Sequence, residues 1–363
     1  MNNTKSKWFK YGILGIVSLV FGVAVDAATA DENWSIEEER RTQTKLLVEE
    51  VLADANSRVS LGAVDSPITL DVSGFVQTRF SYNSGGSVEA NHGFDVPRAR
   101  LQFSGSVYDF DYVVSGQWYD NNGGEFDLTD AYASTDIAGV NFKFGQFVSP
   151  FMKSWDVYAA DTLTADRSLV TYTFGQGRSQ GIQFGKEFGD LRLRASYNDG
   201  FNSANGAGVQ NGYALNARAD YDVTDWMTVG GAISWNDLDT TDFWTYTFDT
   251  GLKFGNFAFD AAYVGRNKDA GNDWATQFQA SYFLSDAVQP FARYEYGSLP
   301  GEEDLSLVTA GFNYHFNDNV KWTTDVGYSL NGIGVGWDTA STGWNSSVDS
   351  GEYLVRTQIQ IRF

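Results

Sequence analysis

From Ile68 to the C-terminus the sequence alternates between apolar and polar residues with a period of two. In the first such segment Val72 and Val76 share one face of the predicted strand, whereas Gln77 and Arg79 share the other. The same alternation recurs at 101–107, 191–198, 257–263 and 274–282. A strand with one apolar and one charged face needs two different surroundings, which a soluble sandwich and a membrane barrel both provide. The pattern therefore predicts an all-β fold without choosing between these two architectures.

Short turns rich in Asp, Asn and Gly separate the alternating segments. They fall at 108–109, 136–139, 189–190, 222–225, 255–256, 285–286 and 317–319. From the fourth turn onward they recur about every 31 residues, which fits a repeat of strand, loop, strand and tight turn. Seven turns join 14 strands, and one further strand at each end predicts 16.

Longer polar segments lie between these turns, and aromatic residues cluster beside the turns. The longest segments are 83–93, 148–178, 199–211 and 331–351. Aromatic residues at the turns include Tyr108, Phe188, Tyr221, Trp226 and Phe316. Short turns on one side, long loops on the other and an aromatic girdle are typical of outer-membrane barrels. The sequence thus predicts a 16-stranded antiparallel transmembrane β-barrel over residues 67–363, in the outer membrane of a Gram-negative bacterium.

The N-terminus has the pattern of an export signal. A lysine-containing start precedes an uncharged, mostly apolar run at 11–25, which is short for a membrane-spanning helix. Small residues follow at Ala28 and Ala30. We predict a cleaved signal peptide at residues 1–30, with cleavage after Ala27 as the alternative.

Residues 31–66 are predicted to form a short periplasmic helical segment with coiled-coil-like character. Ser35 and Glu38 have the spacing of a capping box, and Val51 and Leu52 belong to an apolar helical stripe. A solvated linker is the alternative, because the stripe is too short for three clean heptads.

Composition excludes several classes of protein. The chain has 363 residues, 16% aromatic, no cysteine, a net charge of −21 and a mean hydropathy of −0.30. Its hydropathy argues against a bundle of membrane helices, and the lack of cysteine excludes disulfides and thiolate chemistry. Its acidity argues against a nucleic-acid partner.

An enzyme is not predicted. The two histidines, His92 in a long loop and His315 beside a tight turn, would lie at opposite ends of the barrel. The sequence contains neither the H-E-x-x-H zinc-protease motif nor the phosphate-loop motif, and we predict neither a metal nor a cofactor. Acidic loop clusters are interpreted as solvated surface rather than calcium sites.

Two internal segments carry a family resemblance. Val96-Pro-Arg-Ala-Arg-Leu-Gln-Phe-Ser-Gly105 resembles the second strand of the phosphate-selective porin O and P family, apart from proline at its first arginine position. Phe142-Lys-Phe-Gly-Gln-Phe-Val-Ser-Pro-Phe151, preceded by Leu128-Thr-Asp-Ala-Tyr132, resembles that family's strand leading into loop three. The resemblance implies a homotrimer of 16-stranded porins, each with loop three folded into its pore.

Basic residues on the predicted lumen face and in loop three are the candidate pore-lining and selectivity residues. They are Arg79, Arg98, Arg100, Lys143, Lys153, Arg167, Arg178, Arg192 and Arg194. Loop three balances its own charges, so we expect a positive potential from the guanidinium groups of Arg79, Arg98 and Arg100 and a weak preference for anions. Cross-strand pairing of these charges, for example of Arg192 with Glu187, is the alternative.

The last strand ends in Phe363, and its alternate residues share one apolar face. This resembles the signal read by the barrel-assembly machinery, so Phe363 is the candidate assembly residue. We predict a water-filled porin for passive diffusion of small hydrophilic solutes and ions, with anions or phosphate as the preferred class and outer-membrane lipids as its surroundings. The alternative is a structural protein that tethers the envelope through its N-terminal helix.

Overall fold

The chain forms 16 antiparallel strands in a closed barrel. This computed structural model describes residues 68–85, 89–118, 124–201, 203–205, 212–238, 241–268, 271–340, 342–347 and 349–363. Each strand pairs with its neighbours in sequence, and β1 (Asp71–Asn83) pairs with β16 (Tyr353–Arg362) to close the sheet. The predicted all-β fold with 16 strands is confirmed. The predicted signal peptide and helical segment lie outside the described residues.

The other strands follow one another along the chain. They are β2 (Asn91–Val107), β3 (Phe110–Trp118), β4 (Phe126–Ile137), β5 (Val140–Val148), β6 (Arg178–Phe188), β7 (Leu191–Asn198), β8 (Tyr213–Thr224), β9 (Met227–Leu238), β10 (Thr241–Phe254), β11 (Phe257–Lys268), β12 (Gly271–Tyr282), β13 (Val288–Ser298), β14 (Leu305–Asn317) and β15 (Val320–Ser329).

All seven predicted short turns join strands at one end of the barrel. Gly189 and Gly255 adopt positive φ values of 60° and 55°, a conformation that two-residue hairpin turns require and that glycine adopts without steric cost. The longer connections, including the four predicted ones, lie at the opposite end. Because the turns are tight, the register of each hairpin is fixed, and with it the face to which every side chain belongs.

The two faces of the barrel wall differ in chemistry as the alternation predicts. On β1, Val76 is 38% exposed on the outer face, whereas Gln77 is fully buried on the inner face. The inner wall is polar, as in barrels that enclose water. Among the described residues, no helix is both long and apolar enough to cross a membrane.

The C-terminal residue completes the closure of the barrel. The amide of Phe363 donates to the carbonyl of Gly74 at 3.1 Å, and the amide of Gly74 donates to the carbonyl of Phe363 at 2.9 Å. A side chain at Gly74 would place its Cβ 2.4 Å from the carbonyl oxygen of Arg100 and 2.7 Å from Cζ of Phe363. The terminal ring therefore packs where only glycine leaves room.

We predict that deleting Phe363 lowers the free energy of unfolding of the barrel in detergent by about 1–3 kcal/mol, because two backbone hydrogen bonds at the closing seam are lost. Phe363→Ala is the matched variant, since it keeps both bonds and removes only the ring. Denaturant unfolding of the refolded proteins measures the difference. If the ring is the assembly signal, both variants also lose outer-membrane yield in cells; normal yield of the deletion would show that the assembly role is wrong.

Candidate functional site

The connection between β5 and β6, residues 149–177, folds into the barrel interior and is called L3 here. It contains two short helices, α1 (Lys153–Asp156) and α2 (Leu169–Phe174), and a 3₁₀ turn at Ala159–Asp161. Helix α2 starts where the hydroxyl of Ser168 accepts from the amide of Thr171 at 2.9 Å, as N-terminal capping serines do. L3 lies inside the pore, as the family resemblance implies, because its residue Asp166 contacts Arg79 and Arg98 on the inner wall.

Asp166 fastens L3 to the wall formed by β1 and β2. Its carboxylate is 1% exposed and accepts from Arg79 Nη1 at 3.1 Å and from Arg98 Nη2 at 2.8 Å. The hydroxyl of Tyr172 and the amide of Arg167 donate to the same carboxylate at 2.8 and 2.9 Å. A buried carboxylate with four donors is fully satisfied, which makes its loss costly.

The protonation of Asp166 reflects its position between two cations. Burial by itself would raise the pKa of this carboxyl, but the guanidinium groups of Arg98 and Arg79 outweigh that effect and hold its pKa well below the ordinary range. Burial and the same carboxylate raise the pKa of Tyr172 to about 12. Asp166 is therefore a charged anchor, with Tyr172 as its neutral hydrogen-bond donor, throughout the physiological pH range.

The segment around Asp166 is also held by β13 and β15, which lie close to β1 in the closed sheet. Arg293 Nη1 on β13 donates to the carbonyl of Asp166 at 3.0 Å and to the hydroxyl of Thr164 at 2.6 Å. The amide of Ala165 donates to Asp325 on β15 at 2.9 Å. Across the barrel, Arg218 Nη1 on β8 donates to the carbonyl of Phe151 at 2.7 Å, and Lys153 pairs with Asp260 on β11 at 2.7 Å. L3 is therefore held at both sides of the lumen, which narrows the passage.

The connection between β15 and β16, residues 330–352 and here called L8, folds against L3. Phe151, Met152 and Phe174 of L3 share one buried apolar cluster with Trp337 and Trp344 of L8. The amide of Asp338 also donates to the hydroxyl of Thr173 at 3.0 Å. L8 therefore packs on L3 from the long-loop end of the barrel.

Three adjoining cavities follow the lumen from the long loops to the short turns. The upper cavity, of about 280 Å³, lies between L3 and the wall of β1–β3 and reaches Asp338 of L8. The middle cavity, of about 250 Å³, lies between L3 and the wall of β10–β13. The lower cavity, of about 150 Å³, shares 161–163 with the middle one and reaches Asn319 in a short turn. Arg167 lines both the upper and the middle cavity and stands at the boundary between them.

The upper cavity is the basic one. Five arginines line it, against three aspartates: Arg79, Arg98, Arg100, Arg167 and Arg178, with Asp95, Asp166 and Asp338. The middle cavity is balanced, with three cations and three carboxylates: Lys153, Arg167 and Arg293, with Asp161, Asp249 and Asp260. An excess of positive charge is thus confined to the loop-side half of the passage.

The candidate residues divide according to their partners. Arg79 binds Asp95 as well as Asp166, and Arg178 binds Asp130 at 2.9 Å. Lys153 binds Asp260, and Arg194 binds Asp156, each at 2.7 Å. Lys143 lies 4.5 Å from the ring centroid of Tyr132. Within the described residues, Arg100 and Arg167 have no carboxylate at ion-pair distance.

Two expectations about charge pairing need correction. The positive potential expected from Arg79 and Arg98 is largely neutralised, because L3 brings Asp166 between them. The predicted pair of Arg192 with Glu187 is wrong. The two residues are opposite each other in register, but the guanidinium of Arg192 binds Asp222 instead.

Sequence reasoning missed the roles of Asp166 and Trp155. No local pattern in the sequence sets Asp166 apart from the other charges of the loop or assigns a role to Trp155. The indole of Trp155 lines the upper cavity and lies beside Gly175, whose added Cβ would be 1.5 Å from Nε1 of the indole. Only the folded position of L3 reveals that Gly175 makes room for this ring.

A closed 16-stranded antiparallel barrel with a polar lumen narrowed by an inward loop defines the class of outer-membrane channel proteins. The family model described as Gram-negative porin matches residues 51–333. The chain therefore belongs to the Gram-negative porin family and forms a water-filled channel in the outer membrane.

Solved structures share the fold at low sequence identity. An anion-selective porin from Comamonas acidovorans superposes with a TM-score of 0.63 and 13% identity, over 82% of this chain and all of the other. OmpT of Vibrio cholerae in a trimer form superposes with a TM-score of 0.62 and 13% identity, over 82% of this chain and 100% of the other. A mutant of the Rh. blastica porin superposes with a TM-score of 0.57 and 14% identity, over 81% of this chain and 100% of the other. No curated protein matches the sequence.

We predict that Asp166→Asn weakens the attachment of L3 by about 3–5 kcal/mol, because the two buried guanidinium groups lose their shared counter-ion. Limited proteolysis of the folded barrel, with cleavage sites mapped by mass spectrometry, should then show cuts within 149–177. Asp161→Asn is the control, since it removes the same charge from an exposed pair with Arg362. Equal protection of L3 in both variants would contradict the anchoring role.

The depressed pKa of Asp166 predicts resistance of L3 to acid. The stabilisation from a carboxyl whose folded pKa lies below its unfolded pKa is complete above the unfolded pKa, about 3.9, and declines only as the pH falls toward the folded pKa. We therefore expect pepsin at pH 3 to leave L3 of the native barrel uncut. Cleavage of L3 that begins near pH 4 would show that Asp166 titrates as an ordinary carboxyl.

Proposed function

We propose that this porin is a passive diffusion channel for small hydrophilic solutes with a preference for anions. The observation that carries the proposal is the composition of the upper cavity, where five arginines face three aspartates. Narrow channels with low-dielectric walls focus such a field, and rings of Arg or Lys select anions in other pores. The net negative charge of the chain contributes less to the potential in this cavity, because salt screens distant exposed carboxylates over about 8 Å.

Phosphate as the preferred anion, and membership of the phosphate-selective porin O and P family, are part of this proposal. They are supported by the Lys143–Phe151 segment, whose residues lead directly into L3. Guanidinium forks suit both phosphate and carboxylate oxygens. The similar Comamonas acidovorans porin is described as anion-selective, which supports the same direction of selectivity.

The remaining parts of the proposal concern assembly. We propose a homotrimer, supported by the trimer form of the similar Vibrio cholerae protein, a signal peptide at 1–30 and a periplasmic helical segment at 31–66 before the barrel at 67–363. Interactions with the assembly machinery through Phe363 and with outer-membrane lipids follow from export to that membrane. Family and fold favour a channel over an enzyme; His92 and His315 lie near opposite ends of the barrel wall, so they cannot form one site.

We predict that the reversal potential of the native channel in a salt gradient has the sign of an anion-selective pore. Arg100→Gln should lower the anion-to-cation permeability ratio about twofold or more, since it removes a cation without a carboxylate partner from the narrow region. Lys253→Gln is the matched control, because Lys253 is an exposed inward-facing cation near a turn and lines none of the three cavities. Arg79→Gln and Arg98→Gln do not isolate the effect of charge, because each variant also removes an ion pair that holds Asp166 and L3.

A cation-selective native channel would contradict the proposed preference. An equal shift in Arg100→Gln and Lys253→Gln would show that total charge, rather than the upper cavity, sets selectivity.

A further inference from the structure

The arginines of the upper cavity differ in how many of their donors are used. The guanidinium groups of Arg79 and Arg98 donate hydrogen bonds to Asp95, Asp166, Gln77 and Tyr172. Arg167 and Arg178 each donate through Nε and Nη2 only, and their Nη1 groups have no hydrogen-bond partner among the described residues. Arg100 donates to Gln117 through Nε and Nη2, and its guanidinium also interacts with Tyr158. Guanidinium groups that keep donor capacity for a solute therefore line the cavity from β2, L3 and β6.

The charge of this group is not balanced by the protein. Arg178 is neutralised by Asp130, but Arg100 binds the amide oxygen of Gln117 and Arg167 binds the carbonyls of Ser154 and Val157. Arg100 is 5% exposed, and burial lowers the pKa of Arg167 to about 10. Removing a cation from water without a counter-ion is unfavourable, so binding of an anion in the cavity would offset part of this desolvation free energy.

The same cavity has an aromatic wall. The indole of Trp155 meets the ring of Tyr172 edge to face, with centroids 5.7 Å apart, and the guanidinium of Arg167 lies 4.8 Å above the indole. Pro97 adds a further apolar surface. A hydrated inorganic anion would bind the arginines without contacting this aromatic wall. A ligand with an aromatic ring could also pack against it.

We propose that the upper cavity is a binding site for small aromatic carboxylates, with the carboxylate on Arg100 and Arg167 and the ring against Trp155. This deepens the proposed anion preference and rests on it. Carboxylate oxygens match the free guanidinium edges, and the volume of about 280 Å³ limits the ligand to about one ring. The site would make transport of such acids saturable.

The test is block of chloride current in planar bilayers that contain the full-length purified porin. Benzoate, acetate and inorganic phosphate are added separately at constant ionic strength. Benzoate should reduce the chloride conductance saturably, with a half-blocking concentration at least about tenfold below those of acetate and phosphate, since a ring packed on an indole contributes about that factor. Trp155→Leu, which keeps an apolar side chain without the ring system, should raise the benzoate value to that of acetate.

The remaining variants separate the carboxylate contact from the ring contact. Arg100→Gln should weaken block by benzoate and acetate alike, about tenfold, whereas Lys253→Gln should change neither. Gly175→Ala should act like Trp155→Leu, because the added Cβ displaces the indole without removing any arginine.

Several results would overturn the aromatic-acid site: equal block by benzoate and acetate, block by phosphate as strong as by benzoate, non-saturable block, or unchanged benzoate block in Trp155→Leu. The reversal potential keeps this failure distinct from failure of the proposed function. An anion-selective channel without selective benzoate block leaves the porin proposal intact, whereas a cation-selective channel contradicts it.

Discussion

The structure depends first on the pairing of backbone groups inside the membrane. In hydrocarbon an unpaired amide or carbonyl costs several kcal/mol, so a sheet can span only if it closes. Here β1 and β16 supply that closure, and the pairing of Gly74 with Phe363 extends it to the last residue of the chain. Because every strand is fixed between two neighbours, the barrel provides a rigid inner wall on which side chains can be placed with precision.

Asp166 is the second constraint, and it determines the passage. A 29-residue loop has many conformations, and holding one of them across a lumen requires strong contacts at both ends. Arg79, Arg98 and Arg293 hold the segment at Asp166, while Arg218 and Asp260 hold the start of L3 across the barrel. The packing of L8 on L3 then adds an apolar contact that excludes water from the anchor.

The distribution of charge in the lumen differs from that of the very acidic chain as a whole. The whole chain has 46 acidic and 25 basic residues, yet the upper cavity has more arginines than aspartates. Ion pairing leaves Arg100 and Arg167 as the cations of this cavity without a carboxylate partner in the described part of the chain. The proposed anion preference therefore rests on the few arginines of the upper cavity that stay unpaired, rather than on net charge.

The sequence by itself determined the number of strands, the positions of the short turns, the face of most strand residues and the presence of long loops. These follow from local rules, since a period of two and a tight turn need only neighbouring residues. The pairing of the arginines could not be predicted in this way, because Asp166 is 87 and 68 residues from Arg79 and Arg98 along the chain. The same holds for Trp155, whose place in the cavity depends on Gly175 and on the folded path of L3. Only the tertiary structure decided which charges meet, because a loop that crosses the lumen brings together residues that no strand register connects.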